Sequence, residues 1–119
     1  MDHSDTLERK RQEILEEMGA ITRMRRGTVN EQYFEVRQKD GSIVRHGPYF
    51  LYSRTEKGKS FSKRIGAEEA DRYREETEQC RRFKELSTRC VIVCEELAEA
   101  DKARLEKKRS KQKRRREER

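Results

Sequence analysis

The chain is poor in the residues that build a large core. Leu, Ile, Val and Phe number 20 of 119 residues, about 17%, below the roughly 20% at which high charge begins to favour disorder. A sizeable single core is therefore not expected, and a small core completed by self-association is. There is one proline, Pro48, and no glycine or proline anywhere in 67–119, so nothing breaks a helix there. No apolar run is long enough to span a membrane and no signal-peptide core is present. The expectation is no membrane contact and a cytoplasmic location. Three cysteines, an odd number with no C-x-x-C, fit a reducing compartment.

The chain also lacks catalytic patterns. His3 and His46 are isolated, and His46 has cations beside it rather than an acid or nucleophile at useful spacing. No P-loop, glycine fingerprint, Ser/His/Asp set or apolar carboxylate pair occurs. Glu68-Glu69 and Glu75-Glu76 read as solvated helix faces. Cys90 and Cys94 share a helix face, with Cys80 further back, and they read as core packing because no third and fourth metal ligand accompanies them. No catalytic residue, metal or cofactor is expected, and the chain is read as a non-enzyme.

Charge is what the chain has in abundance: 46% of residues are charged and the net charge is +7. It is segregated. Residues 1–22 carry 3 basic and 6 acidic groups, 23–64 carry 11 and 4, 65–101 carry 6 and 11, and 102–119 carry 11 and 3. The helical regions are acidic; the sheet region and the tail are basic. Such segregation points to an anionic partner.

The organising stretch is Gly47–Ile65, read as a β-hairpin. Tyr49, Phe50, Leu51 and Tyr52 favour a strand, Glu56-Lys57-Gly58-Lys59 a turn, and Phe61 and Ile65 alternate with polar residues on the return. Pro48 is placed at the strand's entry. Upstream, Asp5 is read as the N-cap of helix 5–18 with Glu8 completing a capping box, and Gly19 as its C′ residue. Ala20–Gly27 is a connector or a first strand. Gln32–Gln38 is a strand with Phe34 and Val36 on one side and Tyr33, Glu35 and Arg37 on the other. Asp40-Gly41 marks a turn, and Ile43–Arg45 is a return strand broken at His46-Gly47-Pro48. Three antiparallel strands are expected.

From Ala67 a long helix is read, with carboxylates in its first turn. Its stripe runs through Ala70, Tyr73, Thr77, Cys80, Phe83, Leu86, Cys90, Val93, Leu97 and Ala100 at near-heptad steps. Around Cys90–Cys94 the apolar surface goes all the way round, which implies two neighbours for this helix. A short strand at 90–94 is the alternative. A helix over 67–100 spans about 50 Å and a five-residue strand only about 17 Å, so the second half of the stripe needs other cover. A homodimer through Phe83, Leu86, Cys90, Ile92, Val93 and Leu97 follows as an expectation.

The sheet cations Arg37, Lys39, Arg45, Arg54, Lys57, Lys59, Lys63 and Arg64 are interleaved with Tyr33, Tyr49, Tyr52 and Phe61. Nucleic-acid readers use this mixture, with cations on phosphates and rings on bases. The plainer reading is a one-sided sheet with an aromatic inner face and a solvated basic outer one. The tail cations Lys107, Lys108, Arg109, Lys111, Lys113, Arg114, Arg115 and Arg116 suit binding by counterion release, or else serve only as a solubilising terminus.

Gly47-Pro48-Tyr49-Phe50-Leu51-Tyr52, Arg54 with the Lys57-Gly58-Lys59 turn, Ile65, Ala67-Glu68-Glu69-Ala70 and Tyr73-Arg74 together resemble a family of short uncharacterised prokaryotic proteins. That family carries a Gly-Pro-Tyr-aromatic-Leu-Tyr strand and a Lys-Gly-Lys turn and is often associated with mobile elements. The resemblance spans about 22–100 and implies class rather than chemistry. In architecture alone, three strands followed by a helix is similar to the arm-type DNA-binding domains of tyrosine recombinases. That likeness implies Arg37, Arg45, Arg54, Lys57, Lys59 and Lys63 as groove-facing candidates.

The expected whole is an α+β domain over 1–101, with helix 5–18, a sheet over about 28–65 and a helix from 67. A basic tail follows at 102–119, either a helical extension or disordered. The expected function is nucleic-acid binding through phosphate contacts from sheet and tail, with DNA favoured over RNA. The alternative is a coiled-coil-like assembly module that binds no nucleic acid.

Overall fold

The computed structural model describes residues 3–118. The order is α1 (His3–Ala20), β1 (Thr28–Arg37), β2 (Ile43–Glu56), β3 (Lys59–Ile65) and α2 (Ala67–Glu117). The strands form one antiparallel sheet in the order β1-β2-β3. The protein is thus α+β, with an N-terminal helix, a three-stranded antiparallel sheet and a long C-terminal helix. Residues 21–82 form one compact unit, and α1 with 83–117 of α2 forms another.

In the sheet unit, both hairpins follow from turn chemistry. At the β1–β2 turn the Asp40 carboxylate accepts from the Ser42 backbone N–H at 2.9 Å and from its hydroxyl at 2.6 Å. These two donors hold the Asp40 carboxyl below its ordinary pKa. The β2–β3 turn has both Lys57 (φ 50°) and Gly58 (φ 78°) in the left-handed region, the requirement of a type I′ hairpin.

The expected break at His46-Gly47-Pro48 does not occur. β2 runs unbroken from Ile43 to Glu56, and Pro48 lies inside it rather than at its entry. Gln32 pairs with Tyr49 and Phe34 with His46, so Gly47 and Pro48 together oppose Tyr33. This is a β-bulge. The β2–β3 ladder begins at Phe50, so Pro48, which has no N–H to give, meets no β3 partner. Gly47 has φ 131°, and a Cβ there would lie 2.8 Å from the Gln32 carbonyl oxygen.

The core of this unit is Tyr52, Ile65 and Ala70, with Val29, Phe50 and Tyr73 packed on it. Tyr52 and Tyr73 meet edge to face, with centroids 5.0 Å apart. Alternation then assigns the faces. Val29, Phe50, Tyr52 and Ile65 share the side covered by the first turns of α2. Asn30, Phe34, Tyr49, Leu51, Ser62 and Arg64 share the other.

In the helical unit, Leu7 and Ile14 of α1 and Leu86 and Val93 of α2 are buried. Burying each such side chain is worth about 1.5–3 kcal/mol. α1 differs from the expected 5–18: it starts at His3, places Asp5 in its first turn rather than at the cap, and continues through Gly19 to Ala20. Helix ends routinely shift by such amounts. Cys90–Cys94 is helical, not a strand. α1 covers one side of that segment, while Val91 and Ile92 remain 54% and 50% exposed.

Candidate nucleic-acid interface

The connector between α1 and β1 is pinned to the sheet unit by one arginine. Backbone N–H of Arg25 donates to the Glu76 carbonyl at 3.0 Å. Its guanidinium lies 3.5 Å from Glu76 Oε2 and sits 4.0 Å over the Tyr73 ring and 5.8 Å from that of Tyr52. The Tyr52 hydroxyl donates to the Arg26 carbonyl. Gly27 (φ 122°) then passes so close to β2 that a Cβ would lie 2.4 Å from the Ser53 carbonyl oxygen. Sequence reasoning missed Arg25 as a site residue. Its partner lies 51 positions away, and no local spacing signals it.

Beside this anchor the β2–β3 hairpin forms a cleft of about 380 Å³ lined by Arg25, Tyr52, Arg54, Phe61, Ser62 and Lys63. The register explains the grouping: Arg54 pairs with Phe61 and Tyr52 with Lys63, so all four side chains share the helix-side face. Phe61 is 51% exposed. Arg54 is bridged to Glu56 at 2.9 Å, and Lys63 Nζ lies 5.4 Å from the Tyr73 ring. Lys57 and Lys59 stand exposed at the tip of the same hairpin.

The other sheet cations are elsewhere. Arg37, Lys39 and Arg45 lie at the β1–β2 turn, the opposite end of β2, which over 14 residues is about 45 Å long at roughly 3.3 Å per residue. Arg45 stacks 3.9 Å over Tyr33. Arg64 is on the opposite face, 4.3 Å over Tyr49, whose ring is 5.5 Å from that of Phe34. The expected division into a basic outer face and an aromatic inner one is therefore corrected. Most of the cations share the helix-side face with the core rings, and the uncovered face carries exposed Phe34 and Val36. Alternation from Tyr52 and Val29 puts Arg54, Lys59, Lys63 and Arg37 on that face, and the bulge adds Arg45 by shifting the earlier part of β2 by one residue.

The tail continues α2 as regular helix through Glu117; Arg119 lies outside the described residues. Lys107, Lys108, Arg109, Lys111, Lys113 and Arg114–Arg116 are exposed. At 100° per residue they point in every direction around the axis. Lys107–Lys111 and Lys111–Arg115 are like-charge i, i+4 pairs, each unfavourable by about 0.2–0.5 kcal/mol.

The six residues expected at a dimer seam divide. Leu86 and Val93 are buried within the chain, Phe83, Cys90 and Leu97 are half-buried, and Ile92 alone is exposed. Partial burial raises the Cys90 thiol pKa, and Cys94 adds to the rise. All three cysteines are free thiols. Among the described residues, no three His, Cys, Asp or Glu side chains cluster as metal ligands would, and no helix is long and apolar enough to cross a membrane.

Comparison with known proteins finds a family model, domain of unknown function (DUF6788), matching residues 4–75. The match takes in α1, the whole sheet and the start of α2. No curated protein and no solved structure matches this chain.

Proposed function

This chain belongs to the DUF6788 family, and we propose that it is a non-enzymatic nucleic-acid-binding accessory protein acting mainly through phosphate contacts. One observation carries the reading. The β2–β3 register sets Arg54, Lys63 and a half-exposed Phe61 around one cleft, with Lys57 and Lys59 at the adjoining tip. Cations beside an exposed ring offer a phosphate its counter-charge and a base its stacking surface. The helical tail supplies a second run of cations whose mutual repulsion a polyanion relieves. DNA is favoured over RNA, and a cytoplasmic location belongs to the same reading. The Gly47–Tyr52 strand and the Lys57-Gly58-Lys59 turn are the features on which we also place the chain among mobile-element-associated proteins.

The test is a titration of the full chain with duplex DNA, single strands and structured RNA at two salt concentrations. Binding at micromolar or tighter affinity with a steep salt slope is expected. No binding to any of the three at about 50 mM salt would defeat the reading. It would leave the assembly-module alternative, which the exposure of Val91 and Ile92 favours.

A further inference from the structure

We propose that two copies of this chain pair through their α2 helices, antiparallel across Ala103, with the basic end of each helix lying against the acidic-edged groove of the other copy's helix pair. Three observations carry this, all within the helical unit.

The first is the groove. Two adjoining hollows run along one side of the α1–α2 pair and share Ile92. One, of about 360 Å³, is lined by Ile14 and Val93 with Glu13 and Glu17; Lys10 and Arg89 are its cations. The other, of about 690 Å³, is lined by Ala100 and Ala103 with Glu95, Glu96 and Glu99, and by His3. The floor is apolar, Ile92 is half exposed, and the edge is predominantly acidic. Among the described residues, Glu95, Glu96 and Glu99 form no ion pair. An apolar floor with an acidic edge fits a helix carrying small or apolar residues and many cations.

The second observation identifies that helix. The tail of α2 combines Ala103 and Leu105 with the cations from Lys107 to Arg116. Its cations from Lys107 onward cannot fold back onto the groove of their own chain, because α2 is one uninterrupted helix to Glu117. Glu99 and Lys107 of one chain are separated by about 12 Å of helix at 1.5 Å per residue, beyond the roughly 8 Å screening length at physiological salt. The occupant that fits is the tail of a second copy.

The third is the register. In an antiparallel pair centred on Ala103, Glu99 lies level with Lys107 across the seam, Glu95 with Lys111 and Ile92 with the stem of Arg114. Ile92, Glu96, Glu99, Ala103, Glu106 and Ser110 recur on one face at alternating steps of four and three. The alanines at the centre let the two backbones approach, and every acid–base match occurs twice by symmetry.

The pairing uses the same tail cations as the nucleic-acid reading, so it is tested without nucleic acid. Sedimentation of the full chain at about 100 μM and low salt is expected to show a dimer that weakens as salt rises. Glu95→Lys/Glu99→Lys and Lys107→Glu/Lys111→Glu should each weaken self-association at least about tenfold. An equimolar mixture of the two variants should form a heterodimer, since each basic groove then meets an acidic tail and each acidic groove a basic tail. Circular dichroism with wild-type helix content in both variants separates lost pairing from lost folding. A wild-type monomer, variants that dimerise undiminished, or a mixture that stays monomeric would each overturn the proposal. A monomer that still binds DNA would remove the pairing and leave the binding function standing.

Discussion

Arg25 and Glu76 meet twice. The backbone N–H of Arg25 donates to the Glu76 carbonyl, and its guanidinium faces the Glu76 carboxylate at 3.5 Å while stacking on Tyr73. Arg25 Nε and Glu76 Oε1 are buried without a hydrogen-bond partner, so this contact rests on the ion pair and the ring together. Arg25→Ala removes both and leaves a carboxylate oxygen buried. We expect destabilisation of about 1–3 kcal/mol, read as a lower urea midpoint at unchanged slope. Arg25→Lys should recover only part of this, because an ammonium cannot stack as a guanidinium does. A midpoint unmoved by Arg25→Ala would show that the backbone bond alone holds the connector.

The glycines separate by space as well as by φ. At Gly27 an added Cβ meets the Ser53 carbonyl oxygen at 2.4 Å, whereas at Gly58 (φ 78°) nothing lies within 4 Å. Gly58→Ala should therefore cost only the left-handed backbone, about 1–2 kcal/mol. Gly27→Ala adds a clash with β2 backbone and should cost more, up to loss of the sheet unit. Comparing the two thermal midpoints checks the order; a reversal would mean that β2 yields easily beside Gly27.

The two ends of β2 should differ in binding. Arg54→Ala with Lys57→Ala is expected to weaken nucleic-acid affinity without unfolding and to reduce the salt slope by roughly two phosphate contacts. Arg37→Ala with Arg45→Ala, at the far end, should change the slope little. Equal losses from both pairs would show that the ligand runs the whole length of the sheet.

Deleting 107–119 should weaken all nucleic-acid sequences alike and flatten the salt dependence, because a helix with cations on every side offers charge without a reading edge. A deletion that alters preference between sequences would assign the tail a role in base contact.

Asp40 gives the β1–β2 turn a pH dependence. Its carboxyl pKa is lowered from 3.8 by the Ser42 hydroxyl and N–H. A depressed folded pKa contributes stability that is present above the unfolded value and lost as pH falls through the folded one. The turn should therefore loosen only in acid. Ser42→Ala, which deletes the larger contributor, should raise the Asp40 pKa toward its ordinary value in an NMR titration. No movement would mean that the backbone N–H alone sets it.

The sequence by itself determined the elements, because their signals are local. Asp40-Gly41 and Lys57-Gly58 carry turn chemistry within four residues, and the α2 stripe repeats within two helical turns, so α+β organisation and helix–sheet–helix order were legible. The membership of the candidate site was legible by residue type, as cations among rings. Its grouping was not. The bulge of Gly47 and Pro48 against Tyr33 is a property of two strands, and a one-residue shift exchanges the faces of everything before it. That shift puts Arg45 on the face of Tyr33 and leaves Phe34 beside Tyr49. The β2–β3 register, set by the two-residue Lys57-Gly58 turn, gathers Arg54, Phe61 and Lys63, while Arg37 lies at the other end of the sheet. The Arg25–Glu76 contact and the burial of Leu86 in a helical unit shared with α1 join residues tens of positions apart. Only tertiary packing decides such contacts, because chain spacing places no constraint on which distant side chains meet.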